Sequence, residues 1–182
     1  MNEIIRPASA NHSSRHTTGD FRTDTAPDRP DVMVFPPLIP LATLATACAL
    51  QWLAPLGLIV EIDPGWRFGL GAIMVIFGLL VTTAGRRALL RHGTNVNPSQ
   101  PAIVLVTEGI FGQTRNPLYV GVSVALCGIG LIFALDWVWL LIIPSCVILH
   151  FAVVRREERY LERKFGDAYR RYRESVPRYL LD

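Results

Sequence analysis

Residues 114–121, TRNPLYVG, place an arginine directly before a helix-start sequence. Asn116 and Pro117 are typical of the N-cap and first position of a helix, because Asn can accept backbone N–H groups and Pro lacks one. A guanidinium beside the positive end of a helix dipole can bind a carboxylate or a phosphate. Arg115 is therefore a candidate catalytic residue. Two simpler interpretations stay open: residues 116–117 only start the helix, and Arg115 anchors a lipid headgroup.

Two adjacent acids, Glu157 and Glu158, lie near the start of the polar sequence RREERYLERKFGDAYRRYRESVPRYL at 155–180. A projection at 100° per residue places Glu158 in the middle of an apolar stripe, with Glu157 at its flank. The stripe consists of Val154, Leu161, Phe165 and Tyr172, with His150 at its edge. An acid on an apolar face needs a partner. That partner is either a cationic ligand or one of three arginines, Arg155, Arg156 and Arg159.

The elements that must position Arg115, Glu157 and Glu158 are four long segments without charged residues. The chain is 51% apolar and 18% charged, against about 25% charged in average soluble proteins. Residues 32–60, 68–85, 116–135 and 137–154 contain no Asp, Glu, Lys or Arg. Each has at least about 18 residues, enough for a helix to cross the ~30 Å hydrocarbon core of a bilayer. The sequence predicts an all-α membrane protein with about four transmembrane helices, rather than a large soluble helical core.

The third and fourth segments are predicted to form a tight helical hairpin, because only a short turn around Asp136 separates them. This hairpin would return the end of the fourth helix, and the acids that follow it, to the boundary where Arg115 lies. Small residues at near-helical spacing, Gly121, Ala125 and Gly128, would let a neighbouring helix approach the third helix closely.

The chain divides into three regions. Residues 1–31 are predicted to be a disordered cytoplasmic tail, and 32–85 to form two N-terminal transmembrane helices. Residues 86–182 are predicted to form the functional core: a cytoplasmic connector at 86–115, the hairpin at 116–154 and amphipathic cytoplasmic helices at 155–182, with a break at Gly166–Asp167. Nine of the 18 Lys and Arg residues follow residue 154. The positive-inside rule therefore predicts a multi-pass protein with both termini in the cytoplasm.

Several functions are disfavoured by the sequence. Cys48, Cys127 and Cys146 fall inside apolar segments and are predicted to be small buried residues, without disulfide or metal-ligand spacing. No HExxH, Walker or GxGxxG motif is present, so neither a metal site nor Rossmann-type nucleotide binding is expected. Nucleic-acid binding is not expected either, since the basic residues have a topological explanation.

These features predict a pocket at the inner membrane face, with Arg115 and a helix N-terminus at one corner and Glu157 and Glu158 at the other. A zwitterionic ligand with a carboxylate, an α-amino group and a sulfonium would match both corners.

Two motifs in combination resemble a known family. The stretch LVTEGIFGQTRNPLYVG, followed by a hydrophobic hairpin and REERYLERKFGDAYRRYRESVPR, is similar to the isoprenylcysteine carboxyl methyltransferases and the related phospholipid N-methyltransferases over about residues 86–180. The resemblance implies that S-adenosylmethionine is the methyl donor. It also implies a set of cofactor-binding residues: Leu105, Val106, Phe111, Asn116, Pro117, Leu118, Tyr119, Glu157 and Glu158.

This chain departs from the family pattern at three positions. Phe111 stands where a Tyr is frequent, and Asn116 where many members have His. Val153 aligns with a substrate-contacting Arg, so Arg155 or Arg156 is expected to bind the substrate instead.

The resemblance implies an integral membrane methyltransferase acting on a lipophilic or lipidated substrate among membrane lipids. A carboxylate acceptor is favoured, because it is ionised at neutral pH and needs no base. An amine acceptor would need one, and only His92 and His150 are available. The alternatives are a phosphatidylethanolamine-type N-methyltransferase and a non-catalytic membrane scaffold whose arginines bind anionic lipid.

Overall fold

The computed structural model describes residues 28–98 and 100–180, and within them the chain is helical without strands. This confirms the all-α prediction. The helices are α1 (Leu38–Leu53), α2 (Pro64–Arg91), a 3₁₀ helix (Gly109–Gly112), α3 (Pro117–Ile132), α4 (Asp136–Leu149), a π-helix (His150–Val154), α5 (Arg155–Phe165) and α6 (Asp167–Ser175). The predicted break at Gly166 is confirmed, because α5 ends at Phe165 and Gly166 takes a φ of 55°.

Among the described residues, two helices are long and apolar enough to cross a membrane. They are Pro64–Arg91, with 28 residues, and the continuous stretch Asp136–Phe165, with 30 residues. The other two apolar helices, α1 and α3, have 16 residues each, which corresponds to about 24 Å of rise and falls short of a ~30 Å hydrocarbon core. The presence of four transmembrane helices therefore stays a prediction.

The small residues of α3 pack against α2. A Cβ atom added to Gly78 would meet the Gly121 carbonyl oxygen and, at 2.7 Å, the backbone nitrogen of Ala125. One added to Gly71 would lie 2.9 Å from the Gly128 oxygen. Only residues without side-chain bulk permit this approach of two backbones. The close neighbour that the spacing predicted for α3 is thus α2.

The hairpin between α3 and α4 is closed at its turn. Residues 133–135 connect the helices, and Asp136 is buried at the start of α4. Its carboxylate accepts hydrogen bonds from the backbone nitrogens of Gly57 at 3.0 Å and Ile59 at 2.8 Å, and from Gln51 Nε2 at 3.0 Å. At the other end of the hairpin, the start of α3 and the end of α4 are separated by two cavities.

One sequence-based expectation needs correction, and the disordered tail stays a prediction. Cys48 and Cys146 are exposed on the protein surface and Cys127 is partly buried. An apolar helix has an outer face as well as a packed one, so a cysteine within an apolar segment need not be buried. Residues 1–27 of the predicted disordered tail lie outside the described residues. The end of that tail, however, contacts α5: Asp28 accepts from Lys164 at 2.6 Å and Asp31 from Arg156 at 3.1 Å.

Candidate functional site

A cavity of about 140 Å³ lies where the end of α2, the connector, the N-terminus of α3 and helices α5 and α6 meet. All nine residues predicted to bind a cofactor line it, together with Arg115. They are Leu105, Val106, Phe111, Asn116, Pro117, Leu118, Tyr119, Glu157 and Glu158. The structure therefore brings two remote stretches of the chain to one volume, while the roles of these residues stay predictions. We call this volume the polar cavity.

The connector forms an ordered wall of the polar cavity. Thr94 Oγ1 accepts a hydrogen bond from the Ile103 nitrogen at 2.9 Å. Tyr172 donates its hydroxyl to the Phe111 carbonyl at 2.7 Å, and the Ala102 nitrogen donates to the Tyr160 hydroxyl at 3.0 Å. Because these contacts join the connector to itself and to α5 and α6, the backbone at Leu105 and the Phe111 ring are held in place.

Glu157 lies at the junction of α5 and α3. The Tyr119 hydroxyl donates to Glu157 Oε1 at 2.9 Å, and no other described residue donates a hydrogen bond to this carboxylate. Glu157 lies on α5, beyond the apolar segment 137–154, and is partly buried at the wall of the polar cavity. Burial raises the pKa of Glu157 to about 7, with the Tyr119 hydrogen bond opposing the shift and the charge of Glu158 adding to it. A partly buried acid whose carboxylate accepts a single hydrogen bond from the described residues favours a cationic ligand.

Glu158 is already neutralised by protein groups. Arg115 Nη1 donates to Glu158 Oε1 at 2.7 Å, and Arg178 contacts the same carboxylate through Nε at 3.0 Å and Nη2 at 2.9 Å. The side chains of Arg115 and Glu158 are only 7% and 13% exposed. The expectation that Arg115 and Glu158 form opposite corners for a ligand is therefore wrong, because they bind each other.

Asn116 occupies the N-cap position of α3 but makes no side-chain capping bond. Its Nδ2 instead donates to the Arg178 carbonyl oxygen at 3.1 Å. The capping role read from the sequence is thus wrong, although Pro117 does begin the helix. The reason is a tertiary contact: the Asn116 side-chain amide is oriented by its hydrogen bond to the Arg178 carbonyl rather than by the backbone N–H groups of α3.

The structure does not bring Arg155 or Arg156 to the polar cavity. The guanidinium of Arg155 lies over the Phe151 ring, 5.5 Å from its centre, and Arg156 pairs with Asp31. Val153, the residue that replaces the family arginine, is fully buried in an apolar cluster. The substrate-binding role of the two arginines stays a prediction without a contact to support it.

Sequence reasoning missed several residues of this region. The sequence placed Tyr169 and Tyr172 in the amphipathic helices at 155–182 and assigned neither to the site, yet both are buried and line the polar cavity. Burial raises the pKa of Tyr169 to about 12, so its phenol is neutral at physiological pH. Arg178 was also missed. The three-residue spacing of Tyr169 and Tyr172 in α6 was the signal that could have indicated a shared buried face. Arg178 lies after the end of α6, and no sequence pattern around it indicates its contacts.

Two apolar cavities adjoin the polar one. The first, of about 480 Å³, is lined by residues of α1, α3 and α4, and the second, of about 640 Å³, by α3, α4 and the C-terminal residues Tyr179 and Leu180. Tyr119 lines all three volumes. His150, hydrogen-bonded to the Tyr179 hydroxyl at 3.0 Å, lines only the larger apolar cavity. Tyr119 is therefore the residue at which the polar cavity meets the two apolar cavities.

Comparisons with known proteins match this region. The family model described as phospholipid methyltransferase matches residues 66–168, more than half of the chain. Protein-S-isoprenylcysteine O-methyltransferase of Schizosaccharomyces pombe is 38% identical over 75 residues, which are 41% of this chain and 31% of that protein. An uncharacterized protein of Haemophilus influenzae is 48% identical over 42 residues, 23% of this chain and 67% of its own length. No solved structure matches.

Proposed function

This chain belongs to the phospholipid methyltransferase family, and from that premise we propose that it is an integral membrane, multi-pass methyltransferase that uses S-adenosylmethionine. The observation that carries the proposal is the meeting of Glu157 with an apolar wall and a helix N-terminus in the polar cavity. The cofactor supplies a methyl group on a positively charged sulfonium, together with a cationic α-amino group. The residues of this chain supply the binding, the orientation and the exclusion of water.

The chemistry of the polar cavity fits that cofactor. Glu157, with one oxygen held by Tyr119, offers negative charge to a cationic group. Leu105, Val106 and Phe111 are each less than 9% exposed, and an apolar wall of this kind suits an adenine ring. Arg115 pairs with Glu158, but because Arg178 shares that carboxylate the group keeps a net positive charge in the same wall, which suits a carboxylate. No separate nucleotide-binding domain is needed for these contacts.

A lipophilic acceptor fits the apolar cavities. Both adjoin the polar cavity at Tyr119, so an acyl or prenyl chain in either could hold its polar end near the methyl donor. We favour a carboxylate acceptor, whose oxygen forms a bond to the methyl carbon while the methyl–sulfur bond breaks, leaving a neutral thioether. No proton needs to move in this reaction. Positioning of the two reactants is then the main source of rate enhancement, up to about 7–11 kcal/mol.

Phospholipid N-methylation is the second candidate. The description of the matching family favours it. An ammonium acceptor must lose a proton before it can attack, and neither His92 nor His150 lines the polar cavity. The non-catalytic scaffold is the third alternative, and it predicts no cofactor binding at all.

The first experiment measures binding of S-adenosylhomocysteine to the purified full chain in detergent by calorimetry. Glu157→Gln should weaken binding by about 10- to 100-fold, because a hydrogen bond to a charged group contributes about 1.5–3 kcal/mol. Glu162→Gln is the matched control, since Glu162 lies on the same helix and pairs with exposed Arg170 and Arg173. Absence of binding to the wild type would overturn the proposal.

The second experiment identifies the acceptor. The chain is incubated with S-adenosylmethionine carrying a radiolabelled methyl group and with membranes, and the lipid-soluble label is then treated with base. Base hydrolyses a methyl ester to volatile labelled methanol, whereas an N-methyl label stays on the non-volatile headgroup. Volatile counts support the carboxylate acceptor, and non-volatile counts support phospholipid N-methylation.

A further inference from the structure

The C-terminal segment 176–180 lies against the sequence that starts α3. The Arg115 nitrogen donates to the Pro177 carbonyl at 3.0 Å. The Arg178 carbonyl accepts from Thr114 Oγ1 at 3.0 Å and from Asn116 Nδ2 at 3.1 Å. Three consecutive residues before helix α3 are therefore fixed by two carbonyl groups of the C-terminal segment.

The side chain of Arg178 reaches the same place from the other side. Its Nε and Nη2 grip the two oxygens of Glu158 at 3.0 and 2.9 Å. Glu158 Oε1 also accepts from Arg115 Nη1. A carboxylate held in this bidentate way has a fixed orientation, and so has the guanidinium of Arg115 that it contacts.

This arrangement leaves positive charge at the wall of the polar cavity. Two guanidiniums share one carboxylate, so the three side chains carry a net charge of +1. Arg115 is almost wholly buried, and its Nε has no hydrogen-bond partner among the described residues. A buried donor without a partner is costly unless a ligand completes it. Without Arg178, the charges of Arg115 and Glu158 would cancel.

We propose that Arg178 is a positioning residue for the cofactor. It does not itself line the polar cavity. Through Glu158 it keeps Arg115 oriented and leaves the excess positive charge available to the carboxylate of the ligand, and through its carbonyl group it holds Asn116 in the cavity wall. This inference rests on the proposed function, and it extends the site to a segment beyond the residues 66–168 that match the family model.

The test compares Arg178→Gln, Arg178→Lys and Arg173→Gln in the full chain. Arg173 is the matched control, because its guanidinium pairs with Glu162 near the surface, five residues earlier in the chain. Binding of S-adenosylhomocysteine should weaken about tenfold in Arg178→Gln and about threefold in Arg178→Lys, which keeps the charge but loses the bidentate geometry. Arg173→Gln should stay within twofold of the wild type.

Steady-state kinetics separate positioning from a structural role. Arg178→Gln should raise the KM for S-adenosylmethionine about tenfold and change kcat by less than about threefold. A residue that only anchors the C-terminus would lower thermal stability and leave the affinity of the folded protein unchanged. A folded Arg178→Gln protein that binds S-adenosylhomocysteine within twofold of the wild type would overturn the inference.

A second variant covers the case in which Arg178→Gln does not fold. Thr114→Val removes the hydroxyl that donates to the Arg178 carbonyl and accepts from the Asn116 nitrogen, without changing any charge. It should weaken S-adenosylhomocysteine binding about threefold, and an unchanged affinity would count against the inference. Absence of binding to the wild type would instead contradict the proposed function itself, so the two failures are distinguishable.

Discussion

Helix α3 has two faces that differ in how they pack. On one face, Gly121, Ala125 and Gly128 lie so close to α2 that an added Cβ atom at Gly121 or Gly128 would collide with its backbone. On the opposite face, Tyr119 and Ser123 line two cavities that separate α3 from α4. We call these the closed face and the open face. Both consist almost wholly of apolar and small residues, yet one excludes every ligand and the other leaves space for one.

The difference shows what each face contributes to the site. Close backbone packing on α2 fixes the position of α3, since small shifts there cause steric overlap. The open face can then hold Tyr119 beside both Glu157 and the apolar cavities without being filled by neighbouring side chains. Because α2 holds α3 in position through the closed face, the open face need not be filled by side chains for the helix to stay in place. Each prediction below tests one side of this contrast.

The largest effect is expected at Gly78 of α2, which packs against the closed face of α3. Gly78→Leu should destabilise the protein by more than about 3 kcal/mol, because overpacking of a tight contact already costs about 1–3 kcal/mol for smaller insertions. A Cβ atom at this position would lie 2.9 Å from the Ala125 Cβ. Thermal unfolding in detergent, followed by fluorescence, measures the loss, and S-adenosylhomocysteine binding should disappear with the fold.

The control for this variant lies on the same helix. Gly69 has no atom within 4 Å of an added Cβ, and Gly69→Ala should be neutral or stabilising by up to about 1 kcal/mol, since Ala favours the helix over Gly. If Gly78→Leu unfolds at the same temperature as Gly69→Ala, the closed face is not the rigid element described above.

The sequence predicted the closed face better than the open one. Small residues at near-helical spacing in an apolar helix have one main use, the close approach of another helix, so Gly121, Ala125 and Gly128 could be interpreted locally. Residues such as Val122 and Ser123 give no comparable signal. An apolar side chain that borders a cavity has the same chemistry as one that faces lipid or a packed core. Only the positions of α1 and α4 distinguish them.

The charged residues show a similar limit. The sequence predicted that Arg115, Glu157 and Glu158 come together, because a short turn returns the fourth apolar segment to the start of the third. It did not predict which charges pair. The projection assumed a continuous α-helix to Tyr172, whereas α5 ends at Phe165 and Gly166 takes a φ of 55°, and a projection of one helix does not give the partners that other segments supply. Arg178 reaches Glu158 only because the chain changes direction after α5 and again after α6, and the sequence does not predict the geometry of either change.

A large side chain on the open face should block the acceptor without affecting the cofactor. Ser123 borders both apolar cavities, so Ser123→Phe should raise the KM for a lipophilic acceptor about 30-fold while S-adenosylhomocysteine affinity stays within twofold. Leu140→Phe is the control, because Leu140 is 52% exposed on the outer side of α4. An unchanged acceptor KM would mean that neither cavity holds the acceptor chain.

The pH dependence of binding tests Glu157 at the end of the open face. With a pKa of about 7 in the unliganded protein, Glu157 is mostly protonated at pH 6 and mostly ionised at pH 8. A cationic ligand group favours the ionised form, so S-adenosylhomocysteine affinity should rise about tenfold from pH 6 to pH 8 and level off above. Calorimetry at several pH values measures this. Glu157→Gln should flatten the profile, and a variant that keeps the wild-type slope would assign the titration to another group.

The smallest effect is expected at the N-terminal segment beside the polar cavity. Asp28 accepts from Lys164 at 2.6 Å and from the Tyr160 hydroxyl at 2.9 Å, and Pro30 lines the cavity. The Asp28 side chain is 63% exposed, so Asp28→Asn should cost less than about 1 kcal/mol of stability. It should change S-adenosylhomocysteine affinity by less than about twofold. Asp31→Asn, whose partner Arg156 lies outside the cavity lining, is the control. A tenfold loss of affinity in Asp28→Asn alone would make this segment part of the binding site, and the cavity would then be closed by residues from both ends of the described chain.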